Sequence, residues 1–178
     1  KPYLFRANAS FMKNRLNNLL QQRPWLLADG AMGTNLFAQG LTSGTAPERW
    51  NLDFPQRIEA LQQTFVEAGA DILLTNSFGA NRRRLELLDE TEVVEINQAA
   101  VDIAQQAAKN CQRDIVIAGS IGPTGSLLKP YGEMDQNEAQ TIFTEQATAL
   151  ANAGVDCLWI ETMAAREELN AAILAANT

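Results

Sequence analysis

Four short apolar runs, Trp25 to Ala28, Ile72 to Leu74, Ile115 to Ala118 and Val155 to Ile160, recur along the chain at intervals of about 40 to 45 residues, the spacing of strand-plus-helix units. This recurrence constrains the fold more than any other feature. The runs are rich in Val, Ile, Leu and Trp and lack polar alternation, which predicts strands buried on both faces. Between them lie Gln56 to Ala68, Glu92 to Asn110 and Gln136 to Ala153, whose apolar residues return at helical spacing. Helices between successive strands leave room for right-handed crossovers, so the strands are expected to run parallel. The chain reads as α/β.

Boundary chemistry agrees with this division. Pro55 stands where a first helical turn tolerates proline, and Asp135 with Glu138 approximates a capping box. Ala68-Gly69-Ala70-Asp71 and Ala153-Gly154-Val155-Asp156 each close a helix with glycine and open the next strand. The match continues over residues 68–76 and 153–161, which points to an internal β/α repeat. Residues 1–22 read as an N-terminal extension carrying an amphipathic helix from about Phe11, placed across the floor of a barrel; residues 23–178 form the body. The competing architecture is a doubly wound sheet, whose Gly-x-Gly-x-x-Gly turn is missing: Asp29-Gly30-Ala31-Met32-Gly33-Thr34 holds only Gly-x-x-Gly. A complete eight-stranded barrel takes about 250 residues. The 178 residues here therefore suggest the first four βα units of one. A half-barrel exposes strand edges, where a second copy could pair to give a homodimer.

Charge and residue inventory narrow the function. A net charge of −7 and a pI near 4.6 disfavour a nucleic-acid partner. No apolar run approaches the roughly 18 residues needed to span a bilayer, and no signal-peptide pattern opens the chain, so a cytoplasmic location without a membrane partner is expected. There is no histidine, which removes Ser-His-Asp and Cys-His catalysis from this chain. Cys111 and Cys157 have no neighbours at metal-ligand spacing. Cys157, within an apolar run, reads as core, and Cys111, ending a polar helix, as near-surface.

In parallel α/β proteins the site forms where strands end and loops enter the following helices. Those positions hold Asp29, Asn76, Ser120 and Glu161. Two carboxylates, an amide and a hydroxyl on one rim suit a small polar ligand with an ammonium group, an amino acid for example. The alternative is structural: Asp29 and Glu161 paired with Arg82, Arg83 or Arg84 or bonded to the glycine turns beside them, with Asn76 and Ser120 as turn or cap residues. Gly119 to Gly125 is glycine-rich but lacks the Gly-Lys-Ser/Thr ending of a phosphate loop.

Four motifs in order give these positions a further meaning. Leu27-Ala28-Asp29-Gly30-Ala31-Met32-Gly33-Thr34, then Ala68-Gly69-Ala70-Asp71 running into Thr75-Asn76-Ser77-Phe78, then Ala118-Gly119-Ser120-Ile121-Gly122-Pro123-Thr124-Gly125, then Leu158-Trp159-Ile160-Glu161-Thr162 resemble the homocysteine S-methyltransferase family, in particular its betaine- and cobalamin-dependent branches. The resemblance runs from about Trp25 to the C-terminus. It implies a TIM-type (β/α)8 barrel in which Asp29 and Glu161 hold the homocysteine amino group and the backbone around Gly30 and Gly33 borders the same substrate. It also implies zinc, which binds the homocysteine sulfur as thiolate for attack on a methyl group from a small onium or cobalamin-type donor, giving methionine. The family's zinc is held by three cysteines in later strands. Neither Cys111 nor Cys157 matches them, so the ligands are expected beyond Thr178 and no metal ligand is assigned here. Two other readings remain: a non-catalytic amino-acid-binding or assembly module, and a different barrel enzyme using Asp29 and Glu161 as acid and base.

Overall fold

A computed structural model describes residues 15–178. In chain order these form α1 (Arg15–Gln22), α2 (Met32–Ala38), a 3-10 turn (Pro47–Arg49) running into α3 (Trp50–Asp53), α4 (Pro55–Glu67), β1 (Ile72–Leu74), α5 (Arg82–Glu86), α6 (Val93–Ala108), β2 (Val116–Ile121), α7 (Gln136–Ala153), β3 (Cys157–Ile160) and α8 (Arg166–Ala176). The three long predicted helices are present within two residues of their expected ends. The helix expected from about Phe11 begins outside the described residues.

The strands are parallel and ordered β1-β2-β3, with Leu74 beside Ala118 and Ala118 beside Cys157. The first apolar run joins β1 only through a parallel bridge between Ala28 and Ile72. Around it the Ile72 N–H donates to the Leu27 carbonyl and the Asp29 N–H to the Ile72 carbonyl. Burial on both faces, predicted for all four runs, holds for β2 but not for the flanks: Trp25 is 69% exposed and β3 is half-buried throughout. A strand is covered on both faces only where packed elements and neighbouring strands surround it, and the two outer runs lie at the sheet edges. β2 extends three residues past its predicted end because Gly119 permits close packing: a Cβ there would lie 3.1 Å from Leu150 and 3.3 Å from Leu158. Gly119 is thus a strand residue rather than part of a phosphate loop.

Alternation along the strands separates two faces. Leu73, Ile117 and Ile121 face one core with Val101 and Ala104 of α6, Phe143 and Leu150 of α7, and Ala171, Ala172 and Ala175 of α8. Ile72, Val116 and Ala118 face the other, together with Leu16 and Leu19 of α1 and the half-buried Cys157 and Trp159. Sequential strand order with α6, α7 and α8 on one face differs from a doubly wound sheet, where the order reverses and helices cover both faces.

The internal repeat has a structural meaning. Asp71 accepts the Leu27 N–H at 3.0 Å, and Asp156 accepts the Ile117 N–H at 2.9 Å, so each repeat aspartate ties its own strand to the start of the preceding one. Each also meets an N-terminal arginine: Arg23 lies 2.9 Å from Asp71, and Arg15 lies 2.7 Å from Asp156. Arg15 additionally donates to the Ile115 carbonyl, which seats α1 at the strands' N-terminal ends. The turns follow their residues: Asp135 caps α7 by accepting the Glu138 N–H, and Gly154 ends it at φ +94°, a left-handed conformation that glycine adopts without steric cost. No helix among the described residues is long and apolar enough to cross a membrane.

Candidate functional site

A cavity of about 330 Å³ opens at the C-terminal ends of the strands and is lined by all six residues singled out from sequence: Asp29, Gly30, Gly33, Asn76, Ser120 and Glu161. Asp29 follows the Ala28 bridge and is anchored by its N–H on Ile72, while its carboxylate accepts the Leu74 N–H at 2.9 Å. Glu161 follows β3 and is anchored by its N–H on the Ile121 carbonyl. Ser120, within β2, donates its hydroxyl to Glu161 Oε1 at 2.7 Å. Burial pushes the Asp29 carboxyl up from its ordinary 3.8 to about 6; the Leu74 N–H opposes this, and the charge of Glu161 adds to it.

The loop arginines have other partners. Arg82 pairs with Glu145, Arg83 bonds the Ser126 hydroxyl, and Arg84 lies over the Phe78 ring at 5.9 Å. Asp29 does accept a backbone N–H, but from β1 rather than from a glycine turn. Asn76 is neither turn nor cap: its amide donates to the Pro47 carbonyl and to Asn51 Oδ1, both at 2.9 Å, while its own carbonyl accepts from the Asn51 amide. It therefore joins the 3-10 turn and α3 to the end of β1 while forming cavity wall. Gly30 is a close approach, since a Cβ there would lie 3.1 Å from the Phe65 ring; Gly33 has nothing within 4 Å of that position.

Two wall residues escaped the sequence reading. Glu48, 5% exposed, accepts the Gly79 N–H at 2.6 Å, and its burial pushes its carboxyl above the usual range against the pull of backbone N–H groups and the Arg84 guanidinium. It sits on a 3-10 turn rather than at a strand end, and only the preceding Pro47, a helix-start signal, marks it. Phe78 belongs to a recognised motif but had no role assigned. A Cβ at Gly122 would come within 2.5 Å of the Phe78 ring, so that glycine makes room for the aromatic wall.

Carboxylates at 29, 48 and 161 beside the apolar surface of Met32, Leu74 and Phe78 suit a small ligand with a cationic group and an apolar stem. Metal binding is different. Among the described residues no three His, Cys, Asp or Glu side chains form a set able to hold an ion. Neither cysteine lines the cavity, and burial, with the charge of Asp156, pushes the Cys157 thiol up to about 11. These cysteines do not fit a zinc site.

Sequential parallel strands with an acid-lined cavity at their C-terminal ends place the chain in the α/β class, with the cavity where such folds hold small ligands. The family model for homocysteine S-methyltransferase matches residues 26–178, and the chain belongs to that family. It is 31% identical over 169 residues to methionine synthase of Mycobacterium tuberculosis, covering 89% of this chain and 14% of that protein. It is also 31% identical over 176 residues to homocysteine S-methyltransferase of Escherichia coli, covering 89% of this chain and 56% of that enzyme. The crystal structure of the E. coli homocysteine methyltransferase MmuM in its metallated form superposes with a TM-score of 0.77 at 26% identity, over 89% of this chain and 60% of that one. The chain thus spans less than two thirds of each of these proteins.

Proposed function

We propose that the cavity binds homocysteine, with its ammonium group between Asp29 and Glu161, and that the chain is the amino-acid-binding part of a methyltransferase that forms methionine. The observation that carries this reading is the convergence of those two carboxylates in one cavity, each oriented by its own hydrogen bond, from Leu74 and from Ser120. The relatives named for homocysteine methylation support the substrate.

In this reading Asp29 and Glu161 neutralise the ammonium and fix one end of the substrate. Met32, Leu74 and Phe78 cover its methylene stem, and the backbone at Gly30 and Gly33 borders it. The thiol is left toward the open side of the cavity, where a small onium or cobalamin-type donor would approach. Zinc chemistry, implied by the family resemblance, does not fit on Cys111 and Cys157, neither of which lines the cavity. The wall of parallel strands is read as part of a (β/α)8 barrel, whose open edges at Trp25 to Ala28 and β3 would receive further strands or a second copy.

Titration calorimetry of the chain with homocysteine tests the reading. Asp29→Ala and Glu161→Ala each remove a charge-assisted contact of about 1.5–3 kcal/mol, so each should weaken binding roughly 10- to 150-fold. Unchanged affinity in both variants would refute it.

A further inference from the structure

Glu161 is constrained from both sides. We propose that Ser120 and Thr162 are positioning residues that aim the Glu161 carboxylate at the ligand's ammonium group, and that the backbone at Thr162 is strained as a result. This inference rests on the homocysteine reading and names two residues that act through Glu161.

The first constraint follows from counting hydroxyl protons. Ser77 donates its hydroxyl to the Ser120 carbonyl at 2.8 Å. That uses its single proton, so in the 2.6 Å contact between Thr75 and Ser77 the Thr75 hydroxyl is the donor. Thr75 Oγ1 in turn accepts the Ser120 N–H at 3.0 Å. The Ser120 backbone is thereby held by both its N–H and its carbonyl, and its own hydroxyl donates to Glu161 Oε1. Gln146 adds a bond from its amide to the Ser77 carbonyl at 2.7 Å. Thr75, Ser77, Ser120 and Gln146 are all buried, which shields the bonds among them from water. Its one outward product is a proton aimed at Glu161.

The second constraint is the backbone. Once the Glu161 N–H has bonded Ile121, the chain turns at Thr162 with φ +60°. A β-branched residue at left-handed φ is an outlier whose strain persists only when the surroundings enforce it. Glycine would adopt the same turn without that strain, but it would also free the peptide that follows Glu161. If the turn were merely structural, Thr162→Gly would stabilise the chain and leave ligand recognition alone.

The test uses the full chain and two probes, homocysteine and 4-sulfanylbutanoate, the same thiol acid without the amino group. Calorimetry gives the preference for the amine, and urea titration gives stability. Ser120→Ala is expected to reduce the preference roughly tenfold, and to change it no further in a Glu161→Gln background, because both substitutions act on one interaction. Thr162→Gly is expected to raise the urea midpoint while lowering the preference several-fold. A more stable Thr162→Gly chain with full preference, or a Ser120→Ala loss that persists undiminished beside Glu161→Gln, overturns the assignment alone. A wild-type chain with no preference for the amine refutes the homocysteine reading and this inference with it.

Discussion

Replacing Asp29 by asparagine should make the ligand-free chain more stable at neutral pH while weakening the proposed homocysteine binding. The carboxyl is raised from 3.8 to about 6 mainly by burial, with the neighbouring charge of Glu161 adding to it. The proton is therefore bound more tightly in the folded chain than in the unfolded one. The stabilisation that follows is fully present below the unfolded value and is lost as pH rises through the folded value. At about 1.4 kcal/mol per tenfold change in proton affinity, the rise to about 6 corresponds to roughly 3 kcal/mol. Residual solvent contact reduces this toward about 2 kcal/mol. Asparagine keeps an oxygen for the Leu74 N–H but carries no charge to desolvate. Urea unfolding of both chains between pH 4 and 8 isolates the effect: the stability of Asp29→Asn relative to wild type should climb by about 2 kcal/mol across that range and level off above pH 7. Homocysteine affinity at pH 7.5 should fall at least tenfold in the same variant. A flat difference curve, or a variant less stable at pH 8 than at pH 4 relative to wild type, would refute the claim that a carboxylate buried for ligand binding is a burden on the empty fold.

Two further substitutions test the scaffold. Asp71→Ala removes a buried carboxylate that, despite its burial, is held below the usual range by the Leu27 N–H, Arg23 and Arg113; it should cost about 2–4 kcal/mol at pH 7 by thermal or urea unfolding. Because the folded pKa is lowered, the cost should shrink as pH falls below the ordinary carboxylate range. Gly122→Ala places a methyl group 2.5 Å from the Phe78 ring and should cost about 1–3 kcal/mol by overpacking, with homocysteine binding weakened as that wall shifts, both readable on one purified variant.

Much of the site was legible in the chain because strand ends are positions a sequence can mark. Asp29, Asn76, Ser120 and Glu161 each follow or end an apolar run, and parallel topology brings such ends to one rim. Their division of labour was not legible. Asn76 holds neighbouring segments rather than standing free, and Ser120 points its proton at Glu161 rather than capping a turn. Glu48 was missed because nothing in local spacing indicates that a 3-10 turn folds back over β1.

By itself the sequence determined the alternation of strands and helices, the glycine and aspartate junctions of the repeat, and the family. The first two depend on periodicity and on backbone preferences that act within a few residues, and the family on four motifs in order. Only the tertiary structure decided that the first run pairs through a single bridge, that β3 is half-exposed, that Arg82, Arg83 and Arg84 pair away from the two carboxylates, and that the Asp29 carboxyl is raised. Burial and electrostatic partners arise from residues distant in the chain, and a carboxyl group's proton affinity is set by the atoms folded around it.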